Sequence, residues 1–224
     1  MDEGGNGCSN ESAETAQMQV WQGEFGRAYT DRNTLDVEDM NALWFANYGI
    51  TRREINQLFL QDIPKDASFL EAGCNVGNQL LQLQEHGYTN LSAIELQSYA
   101  VEIAKSRLRN VVIKQGSALV LPYENNSFDV VFTSGVLIHI APEDLPRAMS
   151  EIHRCAKTYI WGAEYYAPDV TSLNYHGHEK LLWKMDYARR YLECFNDVEL
   201  VREQHLSYLE NQNVDTVFLL RKRR

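Results

Sequence analysis

The 224-residue chain lacks the marks of several protein classes. Its four cysteines, Cys8, Cys74, Cys155 and Cys194, are scattered and form no Cys-x-x-Cys pair. That pattern implies neither a zinc site nor a disulfide framework, and no other metal-spacing cluster is visible. Basic residues are few: 21 Lys and Arg stand against 31 Asp and Glu, a net charge of -10. A nucleic-acid footprint needs a basic stripe, so no nucleic-acid partner is expected. The dense basic cluster at Arg221-Lys-Arg-Arg224 reads as a solvated strand end. No apolar run is long enough to span a bilayer, and the acidic, polar N-terminus does not resemble a leader. A cytoplasmic protein with no membrane partner, monomer or homodimer, is expected.

What is present is organised around Ser68-Phe-Leu-Glu-Ala-Gly-Cys-Asn-Val-Gly-Asn78. An apolar run ends on Glu71. A Gly-x-x-x-Gly turn follows (Gly73, Gly77), and then Leu80, Leu81 and Leu83 at helical spacing. Strand, tight turn and helix bring a backbone close to a ligand. A dinucleotide fingerprint has a middle glycine and a pyrophosphate on the helix N-terminus. Here Asn75 replaces that glycine, and the Glu71 carboxylate repels phosphate but suits a cation. S-adenosylmethionine (SAM) carries an ammonium and a sulfonium and no phosphate. The turn therefore reads as a SAM site, with Glu71, Gly73, Cys74, Asn75, Gly77 and Asn78 around the ligand.

Residues 1–18 are small and polar and read as a disordered tail. Residues 19–62 read as a helical lid. Trp21, Phe25 and Tyr29 are spaced four apart, as on one helix face. Ala42 to Leu60 is helical, broken near Tyr48-Gly49, with Thr51 and Glu54 forming a capping box. Trp44, Phe45 and Tyr48 read as lid core. Residues 63–224 read as the main domain, with strands at Ser68–Ala72, Leu91–Leu96, Asn110–Lys114, Phe128–Thr133 and Thr158–Gly162. Helices are expected at Asn78–His86, Ser98–Leu108, Glu143–Ala156 and Lys180–Cys194. A last pair, Val198–Tyr208 and Val214–Arg221, closes one edge antiparallel. The fold class is α/β: a mostly parallel seven-stranded, Rossmann-like sheet with helices on both faces.

In such a sheet the ligand lies outside the carboxyl ends of the strands. Glu95, at the end of the second strand, suits two ribose hydroxyls, and Leu96 the adenine face. Ser117 and Ala118 follow the third strand near the adenine edge. Ser134, Gly135 and Val136 follow the fourth and border the methyl-transfer position. Asp129 at a strand start reads as a backbone partner. Acceptor-side candidates are His139, Glu164, Tyr175 and His178, with Tyr165 and His176 beside them. An insert at about 164–186, dense in aromatic and titratable groups, is expected to build the acceptor pocket.

Ser68 to Tyr159 resembles the class I SAM-dependent methyltransferases, with Glu71, Gly73, Gly77 and Glu95 as the most specific marks. Gly23-Glu-Phe-Gly-x-x-Tyr-Thr-Asp-Arg-Asn33, Glu71-Ala-Gly-Cys-Asn-Val-Gly-Asn78, Glu164-Tyr-Tyr166, Tyr175-x-Gly-His178 and Trp183-Lys-Met-Asp-Tyr-Ala188 resemble methylases associated with pseudaminic acid biosynthesis. His176 and Met185 stand where basic residues would be expected. The resemblance implies a task for Tyr29, Arg32 and Asn33: folding over SAM, with Arg32 on its carboxylate. The expected activity is methyl transfer to O or N of a small polar metabolite, a sugar or amino-acid derivative. The alternatives are a protein or peptide methyltransferase, and a SAM-binding regulatory protein without turnover.

Overall fold

A computed structural model describes residues 14–223. Four helices come first: α1 (Ala16–Gln22), α2 (Glu24–Arg32), α3 (Val37–Tyr48) and α4 (Arg52–Leu60). Then β1 (Phe69–Ala72), α5 (Asn78–Glu85), β2 (Leu91–Glu95), α6 (Ser98–Arg107) and β3 (Val112–Gln115) alternate. β4 (Phe128–Ser134), a 3-10 turn (Leu137–His139), α7 (Leu145–Cys155) and β5 (Ala156–Tyr165) follow. The chain ends with β6 (Thr171–Tyr175), β7 (His178–Lys184), α8 (Tyr187–Cys194), β8 (Val198–Ser207) and β9 (Val214–Lys222).

The main sheet has the order β3-β2-β1-β4-β5-β9-β8. β1 to β5 run parallel, while β9 is antiparallel to both β5 and β8. Every residue of β1 is buried, as a central parallel strand covered on both faces must be. One face packs Leu70, Val131 and Ile160 against α7 and α8. The other packs Phe69, Val130 and Trp161 against α4, α5 and α6. The polar strand residue Asp129 is spoken for: its Oδ2 accepts from the Ser68 N–H at 2.9 Å and the Ser68 hydroxyl at 2.8 Å.

The lid helices are tied down by local chemistry. The Thr51–Glu54 capping box forms at α4, satisfying two otherwise orphaned N–H groups. Trp21, Phe25 and Tyr29 do meet, with ring centroids 5.3 and 5.1 Å from Trp21, but across a break at Gly23 between two helices. Gly26 makes that break possible, because a Cβ there would lie 1.8 Å from the Trp21 carbonyl oxygen.

Two expectations are corrected. The tail was expected to reach residue 18, yet α1 starts at Ala16, capped by the Thr15 side chain on the Met18 N–H; residues 1–13 lie outside the described residues. Lys180–Cys194 is not one helix. β6 and β7 form a separate two-stranded hairpin, and α8 begins only after Asp186, whose carboxylate caps the Arg189 N–H. Leu181, Leu182, Met185 and Ala188 satisfy helical spacing, and pairing with β6 overrides it.

Candidate functional site

The carboxyl ends of the strands carry two adjoining cavities, of about 150 Å³ and about 260 Å³. They share Tyr29, Gly73, Asn75, Ser134 and Gly135. The wall between them is the turn after β1. Gly73 (φ +87°) and Asn75 (φ +46°) lie in the left-handed region. A Cβ on Gly73 would also meet Val136 Cγ2 at 2.8 Å, so glycine lets the β1 and β4 ends close up.

The first cavity belongs to the ends of β2, β3 and β4. Glu95, Leu96, Ser117, Ala118 and Val136 line it, together with Met18 and Trp21 from α1. Glu95 is anchored by backbone: Oε2 accepts from the Asn75 N–H and Oε1 from the Gln97 N–H, each at 2.8 Å. Burial raises its carboxyl, and those two amides oppose the rise.

The second cavity lies over the ends of β1, β4 and β5 and the start of β9. Asn33, Glu71, Cys74 and Asn78 line it, with Trp44, Tyr48, Tyr165, Tyr208 and Asp215. Glu71 is 2% exposed and its Oε2 has no partner. Burial pushes its carboxyl well above the usual range; Arg52 opposes and Glu95 adds to the shift. Arg52, 1% exposed, lies behind this wall. Its Nε donates to Gln79 Oε1 at 2.6 Å, its guanidinium covers the Trp44 ring at 4.3 Å, and its Nη1 is unpartnered. Asp215, 9% exposed, accepts from the Tyr48 hydroxyl at 2.6 Å through Oδ2, while its Oδ1 has no partner. Burial raises its carboxyl to about 6, against the pull of the Tyr48 hydrogen bond and Lys184.

The cofactor candidates thus converge, with two exceptions. Gly77 lines neither cavity and instead opens α5 with φ +78°. Arg32 is exposed and lines neither, though its charge acts on Tyr29. Tyr29 reaches both cavities. Of the acceptor candidates only His139 lines a cavity, with Tyr175 packed against it at 5.3 Å between ring centroids. His139 lines the first cavity, not the second. Its Nδ1 lies 2.9 Å from the Leu181 carbonyl oxygen, which fixes the N–H there. Burial lowers its pKa to about 4, against that hydrogen bond, so the ring is neutral at pH 7. Glu164 lines neither cavity and is 1% exposed. Its oxygens accept from the Val136 and Ile138 N–H groups at 3.3 and 3.4 Å, so it shapes the loop after β4. Burial raises it to about 7, opposed by Thr133 and those amides. Tyr175 and His178 lie behind Phe25, at 6.0 and 4.9 Å between ring centroids, and line neither cavity. The insert supplies only its first residues to the site, through Tyr165.

Trp44 and Tyr48, read as lid core, pack against the core and also wall the cavity, whereas Phe45, read with them, is exposed. Asp215 and Tyr208 were not anticipated. The available signal was an acid at the start of the last strand, on the same sheet edge as Glu71 and Glu95. Among the described residues no group of three or more His, Cys, Asp or Glu could hold a metal ion. No helix among them is long and apolar enough to cross a membrane.

Residues 70–159 match the family model described as "Methyltransferase domain". That stretch, less than half of the chain, is similar to a methyltransferase domain. The domain spans the two glutamates, the glycine turn and the β4 end. A curated relative, EEF1A lysine methyltransferase 2 from Danio rerio, is 28% identical over 137 residues, 58% of this chain and 58% of that one. The chain thus spans less than two thirds of that relative's length. Among solved structures, the 1,6-didemethyltoxoflavin-N1-methyltransferase of Burkholderia thailandensis, with bound S-adenosylhomocysteine, superposes with a TM-score of 0.65 at 15% identity, over 90% of each chain. The [4+2]-cyclase SpnF superposes with 0.61 at 16% identity, over 76% of this chain and 80% of that one. At such identities the likeness carries the fold alone, and SpnF is a reminder that one fold hosts different chemistries.

Proposed function

We propose that this chain transfers the methyl group of SAM to O or N of a small polar metabolite. One observation carries the reading: two adjoining cavities meet at the Gly73 turn, one holding a backbone-anchored Glu95, the other a buried Glu71 oxygen without a partner. The residues present fit SAM. Glu95 offers its remaining lone pairs to the ribose hydroxyls, and Leu96 and Ala118 offer apolar surface to the adenine. Glu71 gives the ammonium an uncompensated carboxylate, and no phosphate-binding cradle of three glycines exists at the turn. SAM supplies both the electrophilic methyl and its leaving group.

The chain's own tasks are then to orient the acceptor, exclude water and take a proton where the acceptor carries one. Ser134 and Gly135 border both cavities and mark the passage between them. The lid helices cover that passage: Asn75 Nδ2 donates to Thr30 Oγ1 at 3.2 Å and Asn78 Nδ2 to the Asn33 carbonyl at 2.6 Å. The narrower likeness to methylases associated with pseudaminic acid biosynthesis belongs to this proposal. So does a cytoplasmic monomer or homodimer.

A protein acceptor is the second reading, favoured by the likeness to a lysine methyltransferase. Incubation of an extract with the protein and methyl-labelled SAM separates them. Label in the small-molecule fraction supports the first reading, and label confined to protein overturns it in favour of the second. SAM binding without label in either fraction points to a regulatory role.

A further inference from the structure

We propose that the Asp215 end of the second cavity is the acceptor site and takes an amine in its cationic form, held by Asp215 among the rings of Tyr48, Tyr165 and Tyr208. This rests on the reading that SAM occupies the first cavity and the Gly73 turn, for that arrangement leaves the ends of β4, β5 and β9 to the acceptor. Asp215 pairs in register with Tyr165 of β5. Both reach the same sheet edge as Ser134.

The charge balance points to the class of ligand. Glu71 and Asp215 line one cavity, and each has a buried oxygen without a hydrogen-bond partner. Among the described residues neither enters an ion pair within 4.0 Å. The nearby cations, Lys184 and Arg52, act on Asp215 through space but do not line the cavity. Lys184 Nζ donates to Asn213 Oδ1 at 2.6 Å, and Arg52 is turned to Gln79 and Ser134. A buried carboxylate without a partner is costly, so a ligand that brings positive charge is favoured at each end. SAM brings one such charge, to Glu71. The second end calls for another cation. Its walls suit one: Tyr48 lies 5.0 Å from Trp44 and 4.7 Å from Tyr208 between centroids, and aromatic faces attract cations. An anionic acceptor would meet two carboxylates in the lining, which includes neither Arg52 nor Lys184.

The same geometry supplies the base. An ammonium has no electron pair to offer, and the Asp215 carboxylate that holds it takes one N–H proton. That leaves a neutral amine with a free pair and a neutral carboxyl, which returns the proton to solvent. The amine belongs either to a free metabolite or to a lysyl side chain; the recognition chemistry is shared.

The test is calorimetric, on protein saturated with S-adenosylhomocysteine. The probes are n-butylammonium and its uncharged isostere 1-butanol, repeated without S-adenosylhomocysteine. The cation should bind at least about tenfold tighter than the alcohol. Asp215→Asn should erase that preference while S-adenosylhomocysteine affinity stays within about twofold. Tyr165→Leu, which leaves the acid in place, should weaken the cation alone and serves if Asp215→Asn does not fold. Equal binding of the two probes, no cation binding at about 10 mM, or a preference that survives Asp215→Asn overturns the proposal. Failure of S-adenosylhomocysteine to bind overturns the cofactor reading instead, and the titration of free protein still reads the cation site. Competition by a pentapeptide Gly-Gly-Lys-Gly-Gly at the same strength as butylammonium supports a lysyl source. Its exclusion, with butylammonium still bound, supports a free amine.

Discussion

Glu71 and Glu95 end adjacent parallel strands, yet the protein holds them in opposite ways. Glu95 is gripped by two backbone amides, those of Asn75 and Gln97. It builds the turn as well as lining the first cavity. Glu71 has a buried oxygen without a hydrogen-bond partner and an arginine that shifts its pKa from outside ion-pair distance. A strand-end acid can thus be a structural strut or a charge kept waiting for a ligand, and only its hydrogen bonds tell which.

The contrast breaks most visibly at Glu95. Glu95→Ala should lower S-adenosylhomocysteine affinity by about a hundredfold or more, since charge-assisted hydrogen bonds are worth roughly 1.5–3 kcal/mol each. It should also lower the melting temperature, because two amides of the turn lose their acceptor. An unchanged melting temperature would remove the strut from the account. Glu71→Gln separates the two roles. Affinity should fall by about tenfold while stability stays level, because the amide keeps the side chain's shape and no hydrogen bond is lost. A marked loss of stability would show that Glu71 is structural too.

The asymmetry was only half legible in the chain. The turn, both glutamates and the Thr51 cap were readable because each is local: a strand end, two glycines, a three-residue spacing. The parallel core was readable from alternating apolar runs. Asp215 was not, since its partner Tyr48 lies 167 residues away. Glu164 was hard to place, because a strand-end acid looks the same whether it faces a ligand or, as here, backbone N–H groups. Arg32 stood beside candidate ligand residues in sequence and lines neither cavity, whereas the buried arginine near Glu71 is Arg52.

Acidity sharpens the comparison at the second cavity. The folded-state pKa of Asp215, about 6, lies above the ordinary value of 3.8. The native state therefore holds that proton more tightly. The penalty for charging Asp215 is absent below pH 3.8 and complete above about 6. Wild-type stability relative to Asp215→Asn should fall across that window, by on the order of 1 kcal/mol per pH unit, and then level off. Denaturant melts of both proteins at pH 4, 5, 6 and 7 would show it, and a pH-independent difference would contradict the buried, unpaired carboxylate.

The smallest effects are expected outside both cavities. Arg32→Ala and His178→Ala should each leave S-adenosylhomocysteine affinity within about twofold and stability within about 0.5 kcal/mol. A larger loss in the arginine variant would mean that α2 swings inward when ligand binds.

The central claim is that the ligand's ammonium is met by a carboxylate the fold leaves unpaired. The direct measurement compares S-adenosylhomocysteine with 5'-methylthioadenosine, which lacks the amino-acid end, on wild-type protein and on Glu71→Gln. Wild type should prefer S-adenosylhomocysteine by at least about thirtyfold, as the loss of one partner in a buried charge pair costs roughly 2 kcal/mol or more; Glu71→Gln should shrink that preference severalfold. Equal affinity for the two compounds in wild type, or the same preference in both proteins, would contradict it.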